Sequence, residues 1–164
     1  MSRFSTEVVY ELKRAGWRVG RKRLEQAEVW AKEVADHTSP DGYRHSVFPA
    51  ALDAWSEFGG LRVAVDGPGA AVARRPFTVD PTLALHLTRT LADVGRSLGT
   101  NLCPLGAEDG GAGFLAIDPA GRVFAIDHTG EWFLGASVDA ALATLILGTA
   151  PARVHDDGTW ETVR

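Results

Sequence analysis

Apolar residues keep helical spacing in three runs over the first 58 positions, the last two parted by a loop at 37–45, and then switch to alternation; that switch constrains the fold more than any other feature. Ser5 is placed to cap a helix over 6–15, with Val8, Leu12 and Ala15 on one face and Gly16 as its stop. A second helical run, 22–36, carries Leu24, Ala27, Ala31 and Val34 at spacings of three and four. A third starts near Phe48, with Pro49 in its first turn and Leu52, Trp55 and Phe58 at intervals of three. Leu61, Val63 and Val65 then alternate with Arg62 and Ala64, as in a half-buried strand. "DGPG" at 66–69 reads as a turn and 70–78 as the return strand of a hairpin. Asp80-Pro81 opens a long helix predicted over 81–97, with Leu83, Leu87, Leu91 and Val94 on one face. Short strands are predicted at 101–105, 113–118, 122–127 and 131–135, with "PAG" (119–121) as a hairpin turn between two of them. A last helix covers 138–147 and ends at Gly148. Helices, an antiparallel meander and a closing helix make an α+β order, without the βαβ alternation of a doubly wound sheet.

At 164 residues, 45% of them hydrophobic, the chain can bury a core without metal or disulfide staples. Its single cysteine, Cys103, forbids an intramolecular disulfide and a cysteine-based zinc cluster. The start "MSRFSTEVVYELKRAG" lacks the apolar core of a signal peptide, and the apolar stretch "ASVDAALATLILG" is too short to span a bilayer. The expected location is the cytoplasm, with no membrane partner. Residues 1–100 hold 14 Lys+Arg and 12 Asp+Glu, whereas residues 101–164 hold 3 and 9. The acidic second half argues against direct nucleic-acid binding, which depends on neutralising phosphates. The basic run "KRAGWRVGRKR" (13–23) reads as a solvated surface.

No catalytic constellation emerges. Gly59-Gly60 follows a helix and precedes a strand, the reverse of a phosphate loop, so a phosphate there would face the negative end of a helix dipole. Gly59 is expected to be the left-handed cap of the third helix, and Gly60 to free the chain to turn. "GAEDGGAG" (106–113) places Glu108 and Asp109 together, but without the further acids of a calcium loop it reads as a hairpin loop. The histidines at 37, 45, 86, 128 and 155 form no HExxH or HxH. Asp127, His128 and Glu131 are the densest polar group and the basis of one alternative, a metal-dependent hydrolase. Cys103, between Leu102 and Pro104 in a predicted strand, reads as a small buried apolar residue.

Five stretches, "AGWRVGRKR", "FPAALDAWSEFGGLRV", "SLGTNLCPLG", "GFLAIDPAGRVFAI" and "GASVDAALATLILG", occur in the order seen in the SUKH superfamily. The chain most resembles its third subgroup, the immunity proteins of bacterial polymorphic toxin systems, over about Phe4 to Gly148. The resemblance implies a SUKH-like single α+β domain with a central, mostly antiparallel sheet flanked by helices, over 1–148, followed by a polar tail, 149–164, that is a loose hairpin or partly disordered. Motif residues carried over as fold-defining are Trp17, Trp55, Phe58, Gly59, Gly60, Leu61, Pro104, Gly106, Gly121 and Gly148. The segment 36–46 is longer and more polar than the family pattern.

The resemblance further implies a protein without enzymatic activity or cofactor that binds a cognate secreted toxin of nuclease or deaminase type and holds it inactive. The acidic second half suits a basic toxin, so the expected contacts are Glu108, Asp109, Asp127, Glu131 and Asp139, with Trp132 as an aromatic anchor. The alternative from another class is an intracellular regulator or scaffold that uses the same fold to bind host proteins.

Overall fold

The computed structural model describes residues 3–161. The chain opens with three helices, α1 (Thr6–Ala15), α2 (Leu24–Asp36) and α3 (Pro49–Phe58). Ser5 caps α1 by accepting from the Val8 N–H, and Gly16 closes it in the left-handed conformation (φ 111°). Two-residue strands β1 (Arg62–Val63), β2 (Gly67–Pro68), β3 (Ala73–Arg74) and β4 (Phe77–Thr78) follow, then a 3-10 turn (Pro81–Ala84) and α4 (Thr88–Leu98). The second half holds β5 (Cys103–Glu108), a 3-10 turn (Asp109–Gly111), β6 (Phe114–Ile117), β7 (Val123–Asp127), β8 (Gly130–Gly135), α5 (Val138–Leu147) and β9 (Ala152–Arg153). The order β1-β4-β5-β6-β7-β8-β9 makes one seven-stranded sheet with every neighbouring pair antiparallel, and β2-β3 forms a separate ribbon. The expected α+β class, a mostly antiparallel sheet with helices, is the one observed.

Strand alternation splits the core into two layers. Leu115, Ile117, Val123 and Ala125 pack with residues of α1, α2, α3 and α5, including Val8, Val34, Trp55 and Leu142. Their chain neighbours Ala116, Phe124 and Ile126 face the other way, onto Leu91 and Val94 of α4. Val154 and Trp160 close this second layer, where Trp160 stacks on Phe133 at 4.6 Å. No helix among the described residues is long and apolar enough to cross a membrane.

Four local expectations are corrected. The helix predicted over 81–97 breaks into the 3-10 turn and α4. Asp80 accepts from the Thr82 N–H at 2.9 Å and tightens the first turn, which leaves Leu83 exposed at a position the periodicity had placed inside. "DGPG" is not the turn expected: Gly67-Pro68 pairs with Ala73-Arg74, so the ribbon turns at 69–72, and β4 returns to the main sheet between β1 and β5. β5 runs on to Glu108 rather than ending at Leu105, because a register shift between Pro104 and Gly106 lets it accommodate both residues. The loop expected over 106–113 therefore shrinks to its second half.

The fourth correction concerns the glycine pair. Gly59 is extended (φ -60°, ψ 137°) and its N–H donates to the Trp55 carbonyl, whereas the left-handed residue is Gly60 (φ 84°). A Cβ on Gly59 would lie well under 3.0 Å from both the Trp55 carbonyl and the Trp30 indole, so packing demands glycine there, not dihedral freedom. The Gly60 N–H donates to Val79 O at 2.7 Å, the step by which the chain joins β1 to the strand beside it. Arg21 donates to the carbonyls of Glu57 and Gly59 at 2.7 and 2.8 Å, so this member of the basic run satisfies the end of α3 rather than lying free in solvent. Trp17 donates to Glu57 at 3.0 Å, and Trp55, fully buried, donates to Pro104 O at 3.2 Å. Gly106 lies against the Thr78 carbonyl with no room for a side chain, Gly121 turns the β6–β7 hairpin (φ 87°), and Gly148 ends α5 (φ 68°).

Candidate functional site

The β7–β8 hairpin turns through His128 and Thr129, since Asp127 pairs with Gly130. The Asp127 carboxylate accepts from the Thr129 amide at 2.8 Å, from the Thr129 hydroxyl and from the Trp132 indole N–H at 3.4 Å. Burial pushes the Asp127 pKa up, but these hydrogen bonds outweigh it and hold the carboxyl below its ordinary value. Trp132 is thereby fixed edge-on to the turn, with the Arg153 guanidinium over its ring at 5.2 Å.

Across from this hairpin, Glu108 ends β5. The ribbon strand β3, Glu108, the hairpin and the C-terminal end of α5 enclose a groove of about 460 Å³, lined among others by Arg74, Arg75, Asp127, Trp132 and Leu145. Glu108 is half-buried, and its pKa is raised by that burial and by the nearby Asp127 charge, with Arg75 opposing. A raised folded-state pKa on an acid means the native state is penalised as pH rises from the unfolded value through the folded one. Glu108→Gln should therefore raise the unfolding midpoint at pH 7.5, with the gain vanishing by about pH 3, well below the ordinary glutamate pKa, where wild-type Glu108 is protonated in both states. Parallel thermal melts at the two pH values check this; an equal shift at both would remove the ionised carboxylate as its cause.

The structure brings Glu108, Asp127 and Trp132 into this one groove and sets the other expected contacts apart. Asp109 lies just outside it, exposed and ion-paired with Arg62 of β1. Glu131 pairs with Ile126 and so faces the opposite side of the sheet, where it lines a hollow with Val94, Leu98 and Val154. Asp139 sits in the first turn of α5, whose other end borders the groove. Arg3 bridges it to Glu57, with bonds of 2.8 Å to Asp139 and 2.7 Å to Glu57. Arg74 and Arg75 are groove residues that periodicity did not single out. Arg74 Nε is buried without a hydrogen-bond partner among the described residues. Their adjacency in sequence was the one available signal.

Strand alternation also separates the hydrolase trio, since Asp127 and Glu131 point to opposite faces. No group of three His, Cys, Asp or Glu among the described residues is arranged to hold a metal ion. Cys103 is fully buried in β5, and burial pushes its thiol pKa up, away from a nucleophile's range.

The molecule is thus an α+β domain with a sheet covered on both faces and a mixed-charge groove beside the β7–β8 hairpin. The family model for the SUKH-3 immunity protein matches residues 4–148, nearly the whole chain, and the chain belongs to that family. No curated protein and no solved structure matches the chain significantly.

Proposed function

We propose that this protein is an immunity protein that acts by direct, non-enzymatic binding to a cognate secreted toxin in the cytoplasm of the cell it protects. The observation that carries the proposal is membership of the SUKH-3 immunity protein family across residues 4–148. The groove between Glu108 and the β7–β8 hairpin is the contact surface that best fits this role. It offers an indole anchored by hydrogen bonds, an apolar wall from α5, and carboxylates held partly desolvated before any partner arrives. Trp at the centre of a contact surface is a frequent source of binding energy. Asp109, paired with Arg62 beside the groove, extends its charged rim, and Glu131 and Asp139 belong to other surfaces that a large toxin reaches only by wrapping the domain. The acidic second half supports a basic toxin of nuclease or deaminase type, since opposite charge speeds encounter.

The test is co-expression with the toxin encoded beside this gene. Cells carrying both genes should grow as toxin-free cells do, whereas cells carrying the toxin alone should stop growing. Equal killing in both cultures would refute the pairing.

A further inference from the structure

A second cavity lies on the opposite side of the molecule from α5, between α4, the 44–46 segment and the loop entering β5. Its volume is about 400 Å³, within the roughly 300–1,000 Å³ typical of small-molecule sites. Although the protein carries a net charge of -4, no carboxylate among the described residues lines this cavity; its charged lining is Arg44 and Arg96, at two sides. Arg44 is steered by donating to Ala35 O at 2.9 Å, and Arg96 forms an exposed ion pair with Asp93, one turn earlier on α4, at 3.4 Å. Four polar residues of the described chain are buried, and two of them, His45 and Thr88, line this cavity. His45 is 8% exposed; its Nε2 is 2.7 Å from Leu85 O, and its Nδ1 has no partner among the described residues. Thr88 opens α4, whose preceding residue, Leu87, provides no side-chain cap, so the positive end of that helix dipole borders the same space. Leu91 and Leu102 supply an apolar wall.

We infer that this cavity binds the phosphate group of a small phosphate monoester, with Arg44 and Arg96 clasping the phosphate oxygens and the organic body lying against Leu91 and Leu102. Two guanidinium groups suit a dianion, because each can donate two parallel N–H bonds to phosphate oxygens. The space exceeds what phosphate alone fills, which is why an organic substituent is expected. The site is independent of the toxin-binding groove, and the toxin-binding reading stands or falls without it.

Calorimetric titration of the full chain at fixed ionic strength tests the inference, with phenyl phosphate, inorganic phosphate and phenol as probes. Phenyl phosphate should bind more tightly than inorganic phosphate, and phenol should not bind. Arg96→Gln should weaken phenyl phosphate by about tenfold or more, and the Arg44→Gln/Arg96→Gln pair should abolish binding. Both arginines are exposed, so an unchanged circular dichroism spectrum and melting midpoint are expected for the variants. Undetectable phenyl phosphate binding, affinity no greater than for inorganic phosphate, or unaltered affinity in the double variant would each overturn it.

Discussion

Trp55→Ala should lower the unfolding midpoint by roughly 10 °C or more, the largest effect expected of any single truncation in this chain. Trp55 is fully buried between α3 and β5, and its indole N–H is committed to Pro104 O. Truncation removes the transfer free energy of a whole indole and leaves a cavity, together about 3–5 kcal/mol. It also leaves the Pro104 carbonyl short of a donor, in a stretch of β5 that is buried on both sides. In a domain of this size 1 kcal/mol corresponds to roughly 2–4 °C. Trp55→Phe helps separate the two contributions, because it retains most of the volume while losing the hydrogen bond; its loss should be about 1–3 kcal/mol. Chemical denaturation of the three proteins checks the order. Equal stability of wild type and Trp55→Phe would show that the bond to Pro104 contributes nothing.

Gly59→Ala is expected to cost about 3 kcal/mol, and more than Gly60→Ala at about 1 kcal/mol. The dihedrals of Gly59 suit any residue, so the penalty comes wholly from space: its new methyl group would meet the Trp30 ring and the Trp55 carbonyl. The ring cannot retreat easily, since Trp30 is packed between α2 and the end of α3. Gly60 has the opposite problem. Its positive φ is strained for alanine, but the nearest atom a Cβ would meet is Arg23 Nη1 at 3.6 Å. Denaturant midpoints of the two variants decide the matter. If Gly60→Ala proves the more damaging, left-handed strain and not packing governs this junction.

The same pair of glycines illustrates how far sequence reasoning reaches. That a helix ends and a strand begins at 59–60 was legible from periodicity and from glycine's known preferences. Which glycine takes the left-handed turn was not, because the answer depends on an indole 29 positions earlier in the chain. α5 was predicted over 138–147 and runs Val138–Leu147, since Ser137, Gly148 and an apolar run leave it no competing choice. The 81–97 helix was misjudged because regular leucine spacing persists through a turn that Asp80 tightens locally. Placement of β4 between β1 and β5 could not be read at all: it rests on pairing across some 30 residues, to which local pattern is blind.

The groove was legible only in part for the same reason. Asp127 and Trp132 are close in sequence, and the hairpin that unites them was predictable. Glu108 joins them through sheet order, and Arg74 through the ribbon that crosses from the first half. Glu131, one residue from Trp132, was expected beside it as an acid of the acidic second half. Strand alternation sends it to the other face, a consequence of the two-residue period that becomes decisive once the pairing register is known.

Titration of the purified toxin with this protein tests the central claim most directly, with toxin activity and bound heat followed together. The two should form a saturable complex in which toxin activity falls to background as the complex fills. Trp132→Ala, with its fold verified, should weaken the complex by at least about tenfold. A toxin that keeps full activity with this protein in large excess would show that this protein is not its inhibitor.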